Sequence, residues 1–117
     1  MSEHSTTAYK VLTQDQMDAL EADGSFAGAP VDVEDGYIHL STAAQLTGTV
    51  DKHFVGQDRL HVVAVDLEAL GAAVKWEESR GGALFPHIYG SLPLEAIVAY
   101  SPLERDVDGQ VRLPVTG

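Results

Sequence analysis

The stretch DGYIHLST, residues 35–42, sets a phenol, an imidazole and hydroxyls within eight positions. Side chains alternate along a strand. If YIHLS is extended, Ile38 and Leu40 face one way, and Tyr37, His39 and Ser41 face the other, with Thr42 just beyond. One face would then carry a row of polar groups fit to line a pocket. The competing reading is a buried histidine satisfied by a backbone carbonyl. Three uses of His39 stay open at this point: packing, metal ligation and catalysis.

WEESRGGALFPHIYG, residues 76–90, is the second dense group, with Trp76, Glu77, Glu78, Ser79, Arg80, Phe85, His87 and Tyr89. Gly81 and Gly82 let a backbone approach a ligand closely, and Arg80 beside them suits a phosphate or carboxylate. Adjacent on a strand, Glu77 and Glu78 point to opposite faces and cannot work as a catalytic carboxylate pair. The competing reading here is a solvated loop over an aromatic anchor.

The five histidines show no HxH or HExxH spacing, and the chain has no cysteine, so no metal is expected. His53 falls in the last turn of a predicted helix, where the dipole favours a cation. His61 falls in a predicted central strand, as a packed or edge residue. No GxSxG, Walker or GxGxxG motif occurs, and Ser41 lacks the glycine elbow of a hydrolase nucleophile.

These residues need elements to position them. YKVL reads as a strand. Thr13 with Gln16 is a capping-box pattern that opens a helix carrying Met17 and Leu20, with Gly24 its stop. Residues 24–36, rich in glycine, proline and acid, read as a loop with one brief extended piece. Thr42 with Gln45 opens a second helix, with Leu46, Val50 and Phe54 at helical spacing and Gly56 at its end. RLHVVAVDL is apolar on both faces and reads as a central strand. VKWEE reads as a half-exposed strand, 79–93 as irregular, and Ile97 to Tyr100 as a strand. Asp108-Gly109 is a hairpin signal. Strands following helices argue for an α+β fold, a mixed, mainly antiparallel sheet with two short helices.

The chain has 117 residues, enough for one domain at 8–117 behind a flexible tail at 1–7. A cysteine-free chain with no signal peptide and no bilayer-length apolar run is expected in the cytoplasm. Net charge is −11, from 7 basic and 18 acidic residues. That balance argues against nucleic acid and anionic membranes as partners. A small ligand with one or two phosphates remains open, because one arginine and a few N–H groups can hold it. No apolar patch indicates an oligomeric state.

YKVLT, DGYIHLST, KHFVGQ, LHVVAVD, KWEESRGGALFPHIYG and LPLEAI together identify the chain as a member of a bacterial family numbered 952 among domains of unknown function, over about residues 8–103. More distantly it resembles the ADP-ribosyltransferase fold, especially its RNA 2′-phosphotransferase branch. YKVLT stands at the first motif of that branch, YIHLS at its His-Val-His-Leu-Ser strand, and SRGGALF at its third segment. In that superfamily these three segments clamp the nicotinamide and ribose of NAD. The resemblance implies NAD as a substrate, His39 orienting the ribose, Ser41 at the motif serine, and Arg80 on the pyrophosphate. It implies Tyr89, Trp76 or Phe85 stacked on a ring. Lys10 stands nearest the absent first histidine, and Glu77 and Glu78 are the candidates for the catalytic glutamate. The expectations are an NAD-using transferase or glycohydrolase, a non-catalytic nucleotide-binding domain, or an acidic protein-interaction domain.

Overall fold

The computed structural model describes residues 6–78 and 82–114. The expected tail falls mostly outside them; within them, Thr7 already opens the first strand. Strand β1, Thr7–Thr13, and β4, Leu60–Asp66, run antiparallel over seven residue pairs, and β8, Ile97–Pro102, adds on the other side of β4. The order β1-β4-β8 makes β4 the middle strand. Its near-continuous apolar run answers to that place, because both faces are covered. Ala8, Leu12, Val63 and Val65 enter one core cluster, and Tyr9, Val11, Val62 and Ala64 enter a second. Side-chain alternation alone divides them.

Helix α1, Gln14–Asp23, covers the first cluster with Met17 and Leu20; α3, Ala43–His53, covers the second with Leu46 and Val50. Both helices begin with the reciprocal caps read from the sequence. Thr13 and Thr42 side chains accept from the N–H of Gln16 and Gln45, whose amides accept in return. Gly24 stops α1 in the left-handed conformation, while α3 ends at His53, before Gly56.

A second three-stranded sheet has the order β3-β6-β5, from β3 (Ile38–His39), β5 (Val74–Glu78) and β6 (Leu84–Ile88). A short pair joins β2, Ser25–Phe26, to β7, Leu92–Pro93. The two larger sheets touch where Tyr9 and Ser41 exchange backbone hydrogen bonds of 2.7 and 2.9 Å.

The α+β expectation stands, and three of its details are corrected. The sheet is not one mixed sheet: all the described pairings are antiparallel, in three sheets. The loop at 24–36 contains a helix, α2, Pro30–Asp35, beyond its extended piece, and a short α4, Leu67–Leu70, follows β4. So four α-helices occur among the described residues, not two. The stretch at 79–93 is not wholly irregular, because β6 lies within it between the other two strands of its sheet. Pro86 argues against a central strand. It gives up one ladder donor, while its carbonyl still accepts from Leu40 N–H at 3.0 Å. The Asp108-Gly109 signal corresponds to a turn closed by a single bridge between Arg105 and Val111.

Candidate functional site

Register brings the two histidines together. His39 on β3 lies directly opposite His87 on β6, and Lys75 on β5 is opposite His87 in turn. Alternation then sets Tyr37, His39, Phe85, His87, Tyr89 and Glu77 on one face of this sheet. Ile38, Leu40 and Ile88 turn the other way, into the core.

Each histidine has a carboxylate. His39 Nδ1 donates to Asp32 Oδ1 at 2.6 Å, and its Nε2 lies 3.0 Å from Asp35 Oδ2. Asp32 is fully buried and takes a second basic partner: Lys10 Nζ is 3.0 Å from its Oδ2. Backbone N–H groups of Ala29 and His39 donate to it at 2.8 and 3.1 Å. The row Lys10–Asp32–His39–Asp35 therefore places each basic side chain against a carboxylate.

Local sequence explains Asp32. Pro30 sits in the first turn of α2, where its missing N–H costs nothing. Asp32, at the third helical position, reaches back to the N-cap N–H of Ala29, which is half of a capping box. Gly28 has φ +122°, and a Cβ there would come within 2.9 Å of Asp32 Cβ, so the chain passes the aspartate at a distance only glycine allows. Burial alone would raise the Asp32 pKa. The Lys10 charge and the hydrogen bonds from His39 and Ala29 outweigh burial and hold it below the ordinary carboxylate value. Burial lowers the Lys10 pKa, against the pull of Asp32.

The second pair is built differently. His87 Nδ1 is 2.7 Å from Glu77 Oε1, and Tyr89 OH donates to both Glu77 oxygens at 2.9 and 3.1 Å. These bonds, His87's first, keep the Glu77 pKa below its usual range, and the Tyr89 pKa is raised by its bond to Glu77. Tyr37 stacks on the His87 ring at 4.2 Å and 22°.

A cleft of about 580 Å³ opens beside these groups, within the size of small-molecule sites. Lys10, His39, Ser41, Phe85, His87 and Asp35 are part of its wall, with apolar surface from Leu46 and Phe54. Ser41 is buried and paired with Thr49 of α3 at 2.8 Å. Gln45 Nε2 donates to Leu84 O at 2.8 Å, which ties α3 to the strand carrying Phe85.

Of the residues singled out in the sequence, the cleft brings together Lys10, His39, Ser41, Phe85 and His87. Glu77 and Tyr37 are outside the cleft lining as partners of His87, and Tyr89 is bonded to Glu77 in turn. Glu78 is exposed at the end of β5, opposite Leu84, and joins neither group. Thr42 caps α3, and Trp76 packs against the first core cluster. Ser79 and Arg80 lie outside the described residues. Sequence reading missed Asp32 and Asp35. The signal for them was the punctuation around PVDVED: proline at the start, aspartate at the third position and glycine after the end. Among the described residues no group of three or more histidine or acidic side chains could hold a metal ion. No helix among them is long and apolar enough to cross a membrane.

Comparison with known proteins agrees with this architecture. The crystal structure of protein CC0527 from Caulobacter crescentus is 44% identical, covers 92% of this chain and 94% of its own, and superposes with a TM-score of 0.83. The solution NMR structure of CC0527 is 45% identical, with coverages of 92% and 91% and a TM-score of 0.77. No curated protein matches the chain. The family model described as protein of unknown function (DUF952) matches residues 11–100, and the chain belongs to that family.

Proposed function

We propose that the cleft binds a small nucleotide-class ligand carrying a ribose, NAD or a relative, and that the protein acts as a binding domain for it. One observation carries this reading. The three segments that the ADP-ribosyltransferase resemblance assigns to an NAD clamp all contribute to the same cleft: Lys10 from the first, His39 and Ser41 from the second, Phe85 from the third. Their polar groups stand beside apolar surface from Leu46 and Phe54, the mixture a base and a ribose need. Binding without turnover is favoured because neither Glu77 nor Glu78 is part of the cleft wall.

A second reading is an NAD-consuming transferase or glycohydrolase. Asp35 favours it, since this carboxylate is in the cleft wall beside His39 and could stabilise a developing oxocarbenium ion.

Ligand-observed NMR with NAD, ADP-ribose and nicotinamide tests both. Saturation transfer to NAD and ADP-ribose is expected, weakened about tenfold or more by His39→Ala or Phe85→Ala. Arg80→Ala tests the pyrophosphate contact that the resemblance implies. Free nicotinamide appearing overnight from NAD would select the enzyme reading. No transfer to any of the three would end the nucleotide assignment.

A further inference from the structure

Among the described residues, the cleft wall contains one buried side-chain polar atom without a hydrogen-bond partner. His87 is 2% exposed, and its Nε2 is buried with no hydrogen-bond partner among the described residues. Buried polar atoms are almost always paired, so an orphan in a pocket wall asks for an explanation.

The neighbours do not supply a partner. Tyr37 lies nearly parallel to the ring, where it offers nothing in the imidazole plane. His39 meets the ring edge-on at 5.2 Å and 68°, but both its nitrogens face carboxylates. Glu77 takes Nδ1. The two nitrogens of an imidazole point nearly opposite ways. A ring whose Nδ1 turns to β5 thus turns Nε2 toward β3, the side on which His39 and Ser41 line the cleft.

The protonation pattern follows from the partner. Glu77 is a carboxylate already accepting from Tyr89, so the Nδ1 contact is an N–H donated to it. If the ring were also protonated at Nε2, a buried cation would carry an unpaired donor. A neutral ring leaves only an unpaired lone pair, the smaller cost.

We propose that His87, fixed by Glu77 through Nδ1, offers Nε2 to the cleft as a hydrogen-bond acceptor, and that the ligand presents an N–H or O–H group to it. This rests on the cleft being a ligand site and adds which chemistry its inner wall selects. Glu77 acts as a positioning residue, and Tyr37 holds the plane of the ring. A carboxamide N–H or a ribose hydroxyl has the required donor; a carboxylate in the same place does not.

The test is the ring-nitrogen NMR spectrum of the uniformly 15N-labelled protein at pH 8. The free protein should show His87 protonated at Nδ1 and bare at Nε2. Nicotinamide, ADP-ribose and acetamide are then added separately, with nicotinate as the acceptor-only counterpart of the amide. At least one donor probe should move the Nε2 signal while that of His61, which lies outside the cleft lining, stays, and nicotinate should not. A shift with the amides alone identifies a carboxamide, and one with ADP-ribose alone a ribose hydroxyl or the adenine amine, which adding adenine by itself separates. Glu77→Ala removes the anchor without touching the core. It should let the opposite tautomer appear and weaken binding of the active probe about tenfold, the worth of roughly one hydrogen bond. His87→Phe should weaken that binding to the same degree.

Finding the proton on Nε2 in the free protein overturns the proposal, as does an unmoved signal with all three donor probes. If NAD and ADP-ribose bind by saturation transfer while the Nε2 signal stays still, the acceptor role falls and the nucleotide reading survives. If acetamide moves the signal but no nucleotide binds, the acceptor role stands and the nucleotide reading falls.

Discussion

Two histidines face each other across β3 and β6, and each leans on a carboxylate, but the pairs are built in opposite senses. In the first, the carboxylate of Asp32 is buried and the His39 ring is partly open. In the second, the His87 ring is buried and the Glu77 carboxylate is partly open. Asp32 is saturated by Lys10, His39 and two backbone N–H groups, and His39 is engaged at both nitrogens. His87 is engaged at one. The difference teaches where structure and where recognition reside. A buried charge with every lone pair satisfied holds the chain in place, here α2 against β1 and β3. A buried ring with one open nitrogen has something left to offer a ligand.

The sharpest way to break the comparison is Asp32→Asn. It leaves the Lys10 ammonium buried and unpaired, and should lower unfolding free energy by about 3–5 kcal/mol in urea titration. Adding Lys10→Met should recover a large part of that loss, since the stranded charge is then gone. If Asp32→Asn unfolds like the wild type, the first pair is not structural.

Next in size is Gly28→Ala. The substitution puts a Cβ into the left-handed region and against Asp32 Cβ. A cost of about 1–3 kcal/mol is expected, visible as a lower melting temperature.

The smallest effect sharpens the contrast by pH. Both Asp32 and Glu77 have pKa values below those of the unfolded chain. Each therefore contributes stability that is fully present above the unfolded value, near 4, and is lost as pH falls through the lower folded value. The acid loss should come almost wholly from Asp32, because the Glu77 carboxylate is open to solvent and screened. Glu77→Gln should leave the acid-unfolding curve where it is, whereas Asp32→Asn should flatten it. Equal shifts from both variants would mean the two pairs are energetically alike.

Local features were legible in the residues themselves. Thr13 with Gln16 and Thr42 with Gln45 announce their helices, because a cap is satisfied within four residues of chain. The β4 run announces a strand covered on both faces, and alternation in YIHLS correctly separates Ile38 and Leu40 from Tyr37 and His39. β6 was hidden because Pro86 and the flanking glycines read as irregular chain. The proline loses a donor but keeps its acceptor for Leu40, a pairing that no local rule shows. α2 was hidden because PVDVED is short and acidic; its stability comes from what Asp32 meets after burial.

The caps, most of the strands, the two faces of YIHLS and the two segments rich in chemistry were readable from the chain alone. These depend on neighbours a few residues apart. Only the tertiary structure decided which carboxylate each histidine receives. Lys10 meets Asp32 across 22 residues, and His87 meets Glu77 across the β5–β6 register. Such pairings are set by register and by burial, which turns an ordinary aspartate into the charge that two strands and a helix share and leaves one imidazole nitrogen open. A hydrophobic pattern chooses faces, but the low dielectric of a packed interior chooses partners.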